Sequence, residues 1–152
     1  MHLPKNVQIF SANQLWEWFA LDTLHNRVYN GVVEEMCHMT RTFIEVPIFT
    51  KRWAEIGLGD DELQQLQIML LKDPESGPVM EGTGGIRKVR FPMANRGKSG
   101  GIRVCYTDFA EYEIIYLITA FEKKEQDNLT DEEKKVLKKL VKSLKEEASK
   151  RR

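Results

Sequence analysis

Three runs of strand-forming residues follow one another closely in the second half of the chain, and their spacing constrains the fold more than any other feature. The runs are residues 86–91, 101–107 and 112–121, and they are rich in β-branched and aromatic side chains. Glycine-rich residues 95–100 and the short link 108–111 join them. Because tight connections join neighbouring strands that run in opposite directions, the sequence predicts an antiparallel meander.

One strand and a short helix are predicted ahead of the meander. Residues 42–46 have β character, and Pro47 marks the end of that strand. Apolar side chains about one turn apart over residues 48–56 predict the helix, which Gly57 and Gly59 close.

Two further helices have recognisable boundaries. Asp60 or Asp61 can cap a leucine-rich helix that Asp73 and Pro74 stop. A T-x-x-E capping box at Thr130 opens the last helix, which carries an apolar stripe. The stripe consists of Val136, Leu137, Leu140, Val141 and Leu144. The order β-α-α-β-β-β-α predicts an α+β fold: two helices pack on one face of an antiparallel-rich sheet, a C-terminal helix follows, and the other sheet face is left available.

The first 38 residues differ in composition from the rest of the chain. All three histidines and two of the three tryptophans lie there. We therefore predict that residues 1–38 are an extension outside the functional domain, which covers residues 39–152 and has its functional start at Met39. The alternative is a segment with a helix from about Ser11 that packs on the domain.

Composition excludes several classes of protein. Apolar residues make up 41% of the chain and charged residues 30%, which indicates a globular domain rather than a disordered or fibrous chain. The two cysteines, Cys37 and Cys105, fit neither a disulfide framework nor a metal-ligand pair, which favours a reducing cytoplasm. No secretory signal is visible, and the apolar run 114–121 is far too short to span a membrane. We expect a cytoplasmic protein with no membrane contact.

Charge is distributed unevenly, although the formal net charge is zero. Residues 82–107 hold six basic side chains and no acidic one, namely Arg87, Lys88, Arg90, Arg96, Lys98 and Arg103. Six of the ten glycines lie in the same stretch, where they permit a ligand's phosphates to approach closely. The stretch favours a nucleic-acid surface, and the alternative is a solvated sheet face with flexible turns.

Nucleotide and metal sites find no support in the pattern. The run Gly-Thr-Gly-Gly at residues 82–85 has neither GxGxxG spacing nor a GK[ST] ending. No histidine follows Met39, and Cys105 lies in an apolar run that predicts a core position. Any RNA cleavage would therefore depend on arginine, lysine and tyrosine. Cations can stabilise a phosphorane-like transition state without a metal or other cofactor.

Strand alternation divides the candidate side chains between two faces. Lys88 and Arg90 are two residues apart and are predicted to point together, while Arg87 faces the opposite way. Tyr106 and Phe121 border basic residues and are the aromatic side chains best placed to stack on a base. The alternative for both rings is a packing role in the sheet.

Four segments carry a resemblance to a known family. They are FIE at residues 43–45, GTGGIRKVR at 82–90, GGIRV at 100–104, and YLITAF at 116–121 followed by Lys123 and Glu125. Together they resemble HigB-type toxins of the RelE/ParE superfamily. The resemblance runs from about Thr42 to the final helix and preserves the order and spacing of the motifs.

The resemblance implies a type II toxin that enters the ribosomal A site and cleaves translated mRNA, leaving 2′,3′-cyclic phosphate ends without a metal. A cognate antitoxin, of the helix-turn-helix HigA-like kind, would hold it inactive. The implied catalytic residues are Lys88, Arg90, Arg103 and Lys123, and the expected RNA contacts are Arg87, Lys98, Tyr106 and Phe121. No cofactor is implied. Two rival functions remain, a ParE-like poison of DNA gyrase and a module that binds structured RNA without cutting it.

Overall fold

The structure, a computed structural model, describes residues 7–10, 41–93, 101–123 and 129–151. The strands are β1 (Val7–Phe10), β2 (Arg41–Glu45), β3 (Arg87–Phe91), β4 (Ile102–Phe109) and β5 (Ile114–Glu122). The helices are α1 (Pro47–Ile56), α2 (Asp60–Lys72) and α3 (Asp131–Lys150), and a single 3-10 turn, Ala110–Tyr112, connects β4 to β5. The predicted α+β order is confirmed, with β1 as an addition.

The five strands form one mixed sheet in the order β1-β2-β5-β4-β3. β3 and β4 pair antiparallel, as do β4 and β5, so the predicted meander is confirmed. β2 pairs with β5 in parallel, a pairing that brings the first predicted strand beside the last. β1 pairs antiparallel with β2 and lies in the stretch 1–38, where no strand was predicted. That residues 39–152 suffice for function stays a prediction.

The two helices before β3 pack on one face of the sheet, as predicted. Gly57 ends α1 in a left-handed conformation at φ 89°, the expected role of a glycine after a helix. The cap of α2 is Gly59 rather than Asp60 or Asp61, because Glu62 Oε2 accepts a hydrogen bond from the Gly59 amide at 2.9 Å. The two aspartates instead occupy the first turn, where negative charge favours the helix dipole. The core on this face includes Phe49, Trp53, Leu66, Leu70, Val104, Tyr106 and Leu117.

α3 packs on the opposite face of the sheet. The sequence had led us to expect that this face is open. The predicted capping box of α3 is confirmed: Thr130 Oγ1 accepts from the Glu133 amide at 3.2 Å, and Glu133 Oε2 accepts from the Thr130 amide at 2.8 Å. Val136, predicted to lie in the apolar stripe, is 66% exposed. The other four members of the predicted stripe, Leu137, Leu140, Val141 and Leu144, pack against the core on this face, and Ala148 joins them. No helix in the described part of the chain has the length and apolar character to cross a bilayer.

Candidate nucleic-acid interface

α3 covers only one end of its sheet face. Near its start, the Lys134 side chain lies over Gly82, in the loop before β3. Near its end, Lys145 Nζ lies 3.4 Å from Glu111 Oε1, in the turn between β4 and β5. Both attachments are at the same end of the meander, because β3 starts where β4 ends. The described residues place no helix over the other end, which we call the open end.

Three predicted site residues form one row across the open end. Arg90 on β3 pairs with Arg103 on β4, and Arg103 pairs with Phe121 on β5. Directly opposed side chains on neighbouring antiparallel strands share a face and have Cβ atoms about 5 Å apart. Arg90 is exposed, while Arg103 and Phe121 are half-buried. The register therefore brings two arginines and an aromatic ring together at the surface.

Lys88 lies in the next row, with Cys105 on β4 and Thr119 on β5. The prediction that Lys88 and Arg90 point together is confirmed by this register. Diagonal neighbours of this kind are about 7–8 Å apart, so Lys88 lies within reach of a phosphate held by Arg103. Cys105 is buried, as predicted. Thr119 is half-buried and adds a hydroxyl that the sequence analysis missed, because its face depends on a β-bulge.

A β-bulge in β5 places Phe121 on the side of the arginines. Cys105 pairs with Thr119 but its neighbour Tyr106 pairs with Leu117, so Ile118 is the extra residue of β5. If β5 alternated regularly from Leu117 onward, Phe121 would share the face of Leu117, toward α1 and α2. Bulges of this kind are common beside functional sites, where they re-aim a side chain.

Gly101 gives the Arg90 side chain its path. A Cβ at Gly101 would lie 2.8 Å from Arg90 Nε, closer than real Cβ contacts, and 3.2 Å from Arg90 Cγ, which is tight. The Arg90 side chain therefore extends across Gly101 toward the beginning of β4. Lys123 directly follows β5 at this same end of the sheet, and it is exposed. Among the described residues, no acidic side chain pairs with Arg103 or Lys123.

Two predicted RNA contacts lie away from the open end. Tyr106 is fully buried, and its hydroxyl donates to the Pro74 carbonyl at 2.8 Å and accepts from the Gly77 amide at 3.1 Å. Its ring has no face open to a base, which corrects the expectation of stacking. Arg87 faces away from the other basic side chains of β3, as alternation predicted, and its Nη1 donates to the Gly77 carbonyl at 2.8 Å. Its Nη2 also lies 3.7 Å from Glu75 Oε1, so Arg87 holds the loop before β3.

The glycine loop of residues 82–85 contacts α3. Gly82 and Gly84 have positive φ values of 81° and 80°. A Cβ on Gly84 would lie 3.3 Å from Lys138 Cγ, and one on Gly82 would lie 3.2 Å from Lys134 Cδ. Because these two glycines have no side chain, lysine side chains of α3 pack against them. The glycines were predicted to allow the approach of a ligand's phosphates, and the space there is occupied by lysine. The predicted RNA contact Lys98 lies outside the described residues.

Three groups with shifted pKa values, Tyr116, Glu111 and Arg151, hold α3 and lie away from the open end; a hydrogen bond to Glu147 raises the pKa of Arg151. Burial raises the pKa of Tyr116, with a further rise from Glu147 and an opposing effect of Arg151. A hydrogen bond to the backbone lowers the pKa of Glu111, and its partner Lys145 lowers it further. These shifts accompany the packing of α3 against the sheet.

One family of known proteins matches most of the chain. The match, over residues 48–151, is to the RelE toxin of the RelE/RelB toxin-antitoxin system. It runs from α1 to the end of α3 and so includes all of the described open end. It also covers well over half of the 152 residues. This chain therefore belongs to the RelE toxin family, and it is a toxin of a toxin-antitoxin system whose partner is an antitoxin.

Proposed function

We propose that this toxin is a ribosome-dependent mRNA endonuclease of the HigB type. The observation that supports it is the row of Arg90, Arg103 and Phe121, with Lys88 on the diagonal, at an open end of the sheet. Cationic groups beside a half-buried ring suit a nucleotide, since phosphate and base are then bound together. Toxins of this family are generally endoribonucleases, which supports the same activity here.

The proposed reaction needs only the RNA and the protein's cations. The ribose 2′-oxygen attacks the adjacent phosphorus as it loses its proton, the bond from phosphorus to the 5′-oxygen breaks, and that oxygen leaves as a hydroxyl after gaining a proton. The products are a 2′,3′-cyclic phosphate and a 5′-hydroxyl. Negative charge gathers on the phosphate oxygens in the transition state, where fixed cations act most strongly.

Each described side chain has a proposed role in this reaction. Arg103, at the centre of the row, and Lys88 stabilise the phosphate in the transition state. Arg90 and Lys123 bind the neighbouring backbone or assist proton transfer, and Phe121 orients a base. Because no histidine follows Met39 to act as a general base, positioning of the mRNA by the ribosomal A site supplies much of the rate.

The proposed setting is the cytoplasm, with control by a helix-turn-helix antitoxin of the HigA-like kind. Such an antitoxin would hold the toxin inactive until it is removed. A small neighbouring gene that encodes a helix-turn-helix protein would support this part of the proposal.

Primer extension tests the proposed function. One mRNA, either translated or with its start codon destroyed, is mapped after brief expression of the wild type, of Arg103→Ala, and of Arg151→Ala as a matched control away from the open end. We expect cuts only in the translated message, lost in Arg103→Ala and kept in Arg151→Ala. The new 3′ ends should resist ligation until the cyclic phosphate is removed.

Three results would contradict the proposal in different ways. Growth arrest by the wild type without any cuts would point to gyrase poisoning. RNA binding without cuts would indicate a non-catalytic module. Cuts that persist in Arg103→Ala would remove this arginine from the reaction.

A further inference from the structure

The middle of α3 is rich in lysine. Residues 134–145 contain six lysines and no acidic residue, namely Lys134, Lys135, Lys138, Lys139, Lys142 and Lys145. Five of these lysines line a shallow groove of about 640 Å³, together with Gly84, Val136, Val141 and one acidic residue, Glu132. This surface is separate from the open end, because it lies on the helix rather than on the strands.

Only part of this charge is balanced within the described residues. Lys135 Nζ lies 3.5 Å from Glu132 Oε1, and Lys145 lies 3.4 Å from Glu111. Lys138, Lys139 and Lys142 have no acidic partner in the described part of the chain. Like charges one turn apart destabilise a helix, so this arrangement is unfavourable for the isolated toxin. An external polyanion would turn the same charges into a favourable surface.

The spacing of the lysines suits a polymer with repeated charges. A helix rises 1.5 Å per residue, so the stretch from Lys134 to Lys145 extends about 16 Å, with an amine on every turn. Val136 is the one exposed large apolar side chain of α3 among the described residues. An acidic amphipathic helix would need an apolar stripe repeated at helical spacing, which the exposed side of α3 does not offer. The surface therefore fits a nucleic-acid backbone better than a protein helix.

We propose that Lys138, Lys139 and Lys142, which we call the lysine ridge, bind the phosphate backbone of ribosomal RNA while the open end holds the strand to be cut. The ridge rests on the proposed ribosome-dependent function and adds a second RNA-binding surface to it. Lysines are flexible point charges that bind phosphates without reading bases, which suits docking on a large structured RNA. α3 and the open end lie on the same side of the sheet, so one large RNA assembly can contact both.

Ribosome pelleting at a series of KCl concentrations tests the ridge. Arg103→Ala is used throughout, so that cutting does not affect the result. The ridge variant carries Lys138→Gln, Lys139→Gln and Lys142→Gln, and the matched control carries Lys51→Gln, Lys72→Gln and Lys150→Gln, three exposed lysines elsewhere. We expect the ridge variant to bind purified 70S ribosomes at least about tenfold more weakly near physiological salt. Its slope of log K against log salt should be shallower by about 2, since each lost phosphate contact removes about 0.7–0.9.

Two outcomes would overturn the ridge. One is a salt slope equal to that of the control, and the other is unchanged ribosome binding with weaker binding of the cognate antitoxin, which would assign the surface to a protein. Thermal melting confirms that both variants are folded.

Failure of the nuclease proposal gives a different result. If the toxin pellets with ribosomes but the wild type cuts no mRNA, and the salt slope of the ridge variant is shallower than that of the control, the lysine ridge is supported and the nuclease proposal fails. If the wild type cuts mRNA and the slopes of ridge and control variants are equal, the nuclease stands and the ridge does not.

Discussion

The sheet face on which α3 packs has a covered end and an open end. Both ends are built from β3, β4 and β5, and they have opposite properties. At the covered end, Ile86, Tyr116 and Ile118 are buried against Val141 and Leu144. At the open end, the same strands present the arginines, the lysine and the half-buried ring of the candidate site. Alternation along a strand decides which side chains share this face, but the reach of α3 decides whether they form core or a binding surface.

The change from one end to the other takes only two residues, from Ile86, just before β3, to Lys88 on it. Ile86 is fully buried under α3, whereas Lys88, next on the same face, is half-buried at its edge. Cys105 lies in the row of Lys88 and is 6% exposed, which marks the boundary on β4. The boundary is sharp because each position along a strand advances by about 3.3 Å and the edge of a helix is crossed within two steps.

Exchanging the two residues at this boundary should give the largest effects. Ile86→Lys puts an unpaired charge under α3 and should lower the free energy of unfolding by about 3–5 kcal/mol. Lys88→Ile should cost less stability, because Lys88 is only half-buried, but should reduce cleavage of translated mRNA about 100-fold. Urea denaturation measures the first change and primer extension the second.

Each half of this exchange can fail by itself. An Ile86→Lys variant as stable as the wild type would mean that α3 does not seal the covered end. A Lys88→Ile variant that cuts normally would remove Lys88 from the site.

A smaller effect on stability alone is expected from Tyr106→Phe. The change deletes the hydrogen bond to Pro74 and leaves the buried Gly77 amide without its acceptor, which should cost about 1–3 kcal/mol. Cleavage per folded molecule should stay unchanged, because the ring is closed off from RNA. Tyr112→Phe, at a half-buried tyrosine, is the control for loss of a hydroxyl. A loss of cleavage without a loss of stability would mean that Tyr106 contributes to RNA binding or cleavage after all.

The smallest predicted effect is at Gly101. In Gly101→Ala the new methyl group overlaps the present position of Arg90 Nε, so Arg90 must move and cleavage should fall about tenfold. In a background of Arg90→Ala the same substitution should have no further effect, which a double-mutant cycle measures. Additive losses in the cycle would show that Gly101 acts on something other than Arg90.

Local patterns in the sequence determined much of this protein. The order of the elements, the antiparallel meander and the capping box at Thr130 follow from periodicity and from turn and cap chemistry. The shared face of Lys88 and Arg90, with Arg87 opposite, follows from the two-residue period of a strand. These features depend on neighbours along the chain, so the sequence suffices to predict them.

Only the tertiary structure decided which side chains are covered. It placed α3 over one end of a face that was expected to be open, left Val136 of the predicted stripe exposed, and enclosed Tyr106 beneath α1 and α2. A β-bulge in β5 broke the two-residue alternation, so that Phe121 shares a face with Arg103 and not with Leu117. The physical reason is that burial and register depend on contacts between segments far apart in sequence, which the period of one strand or helix does not contain.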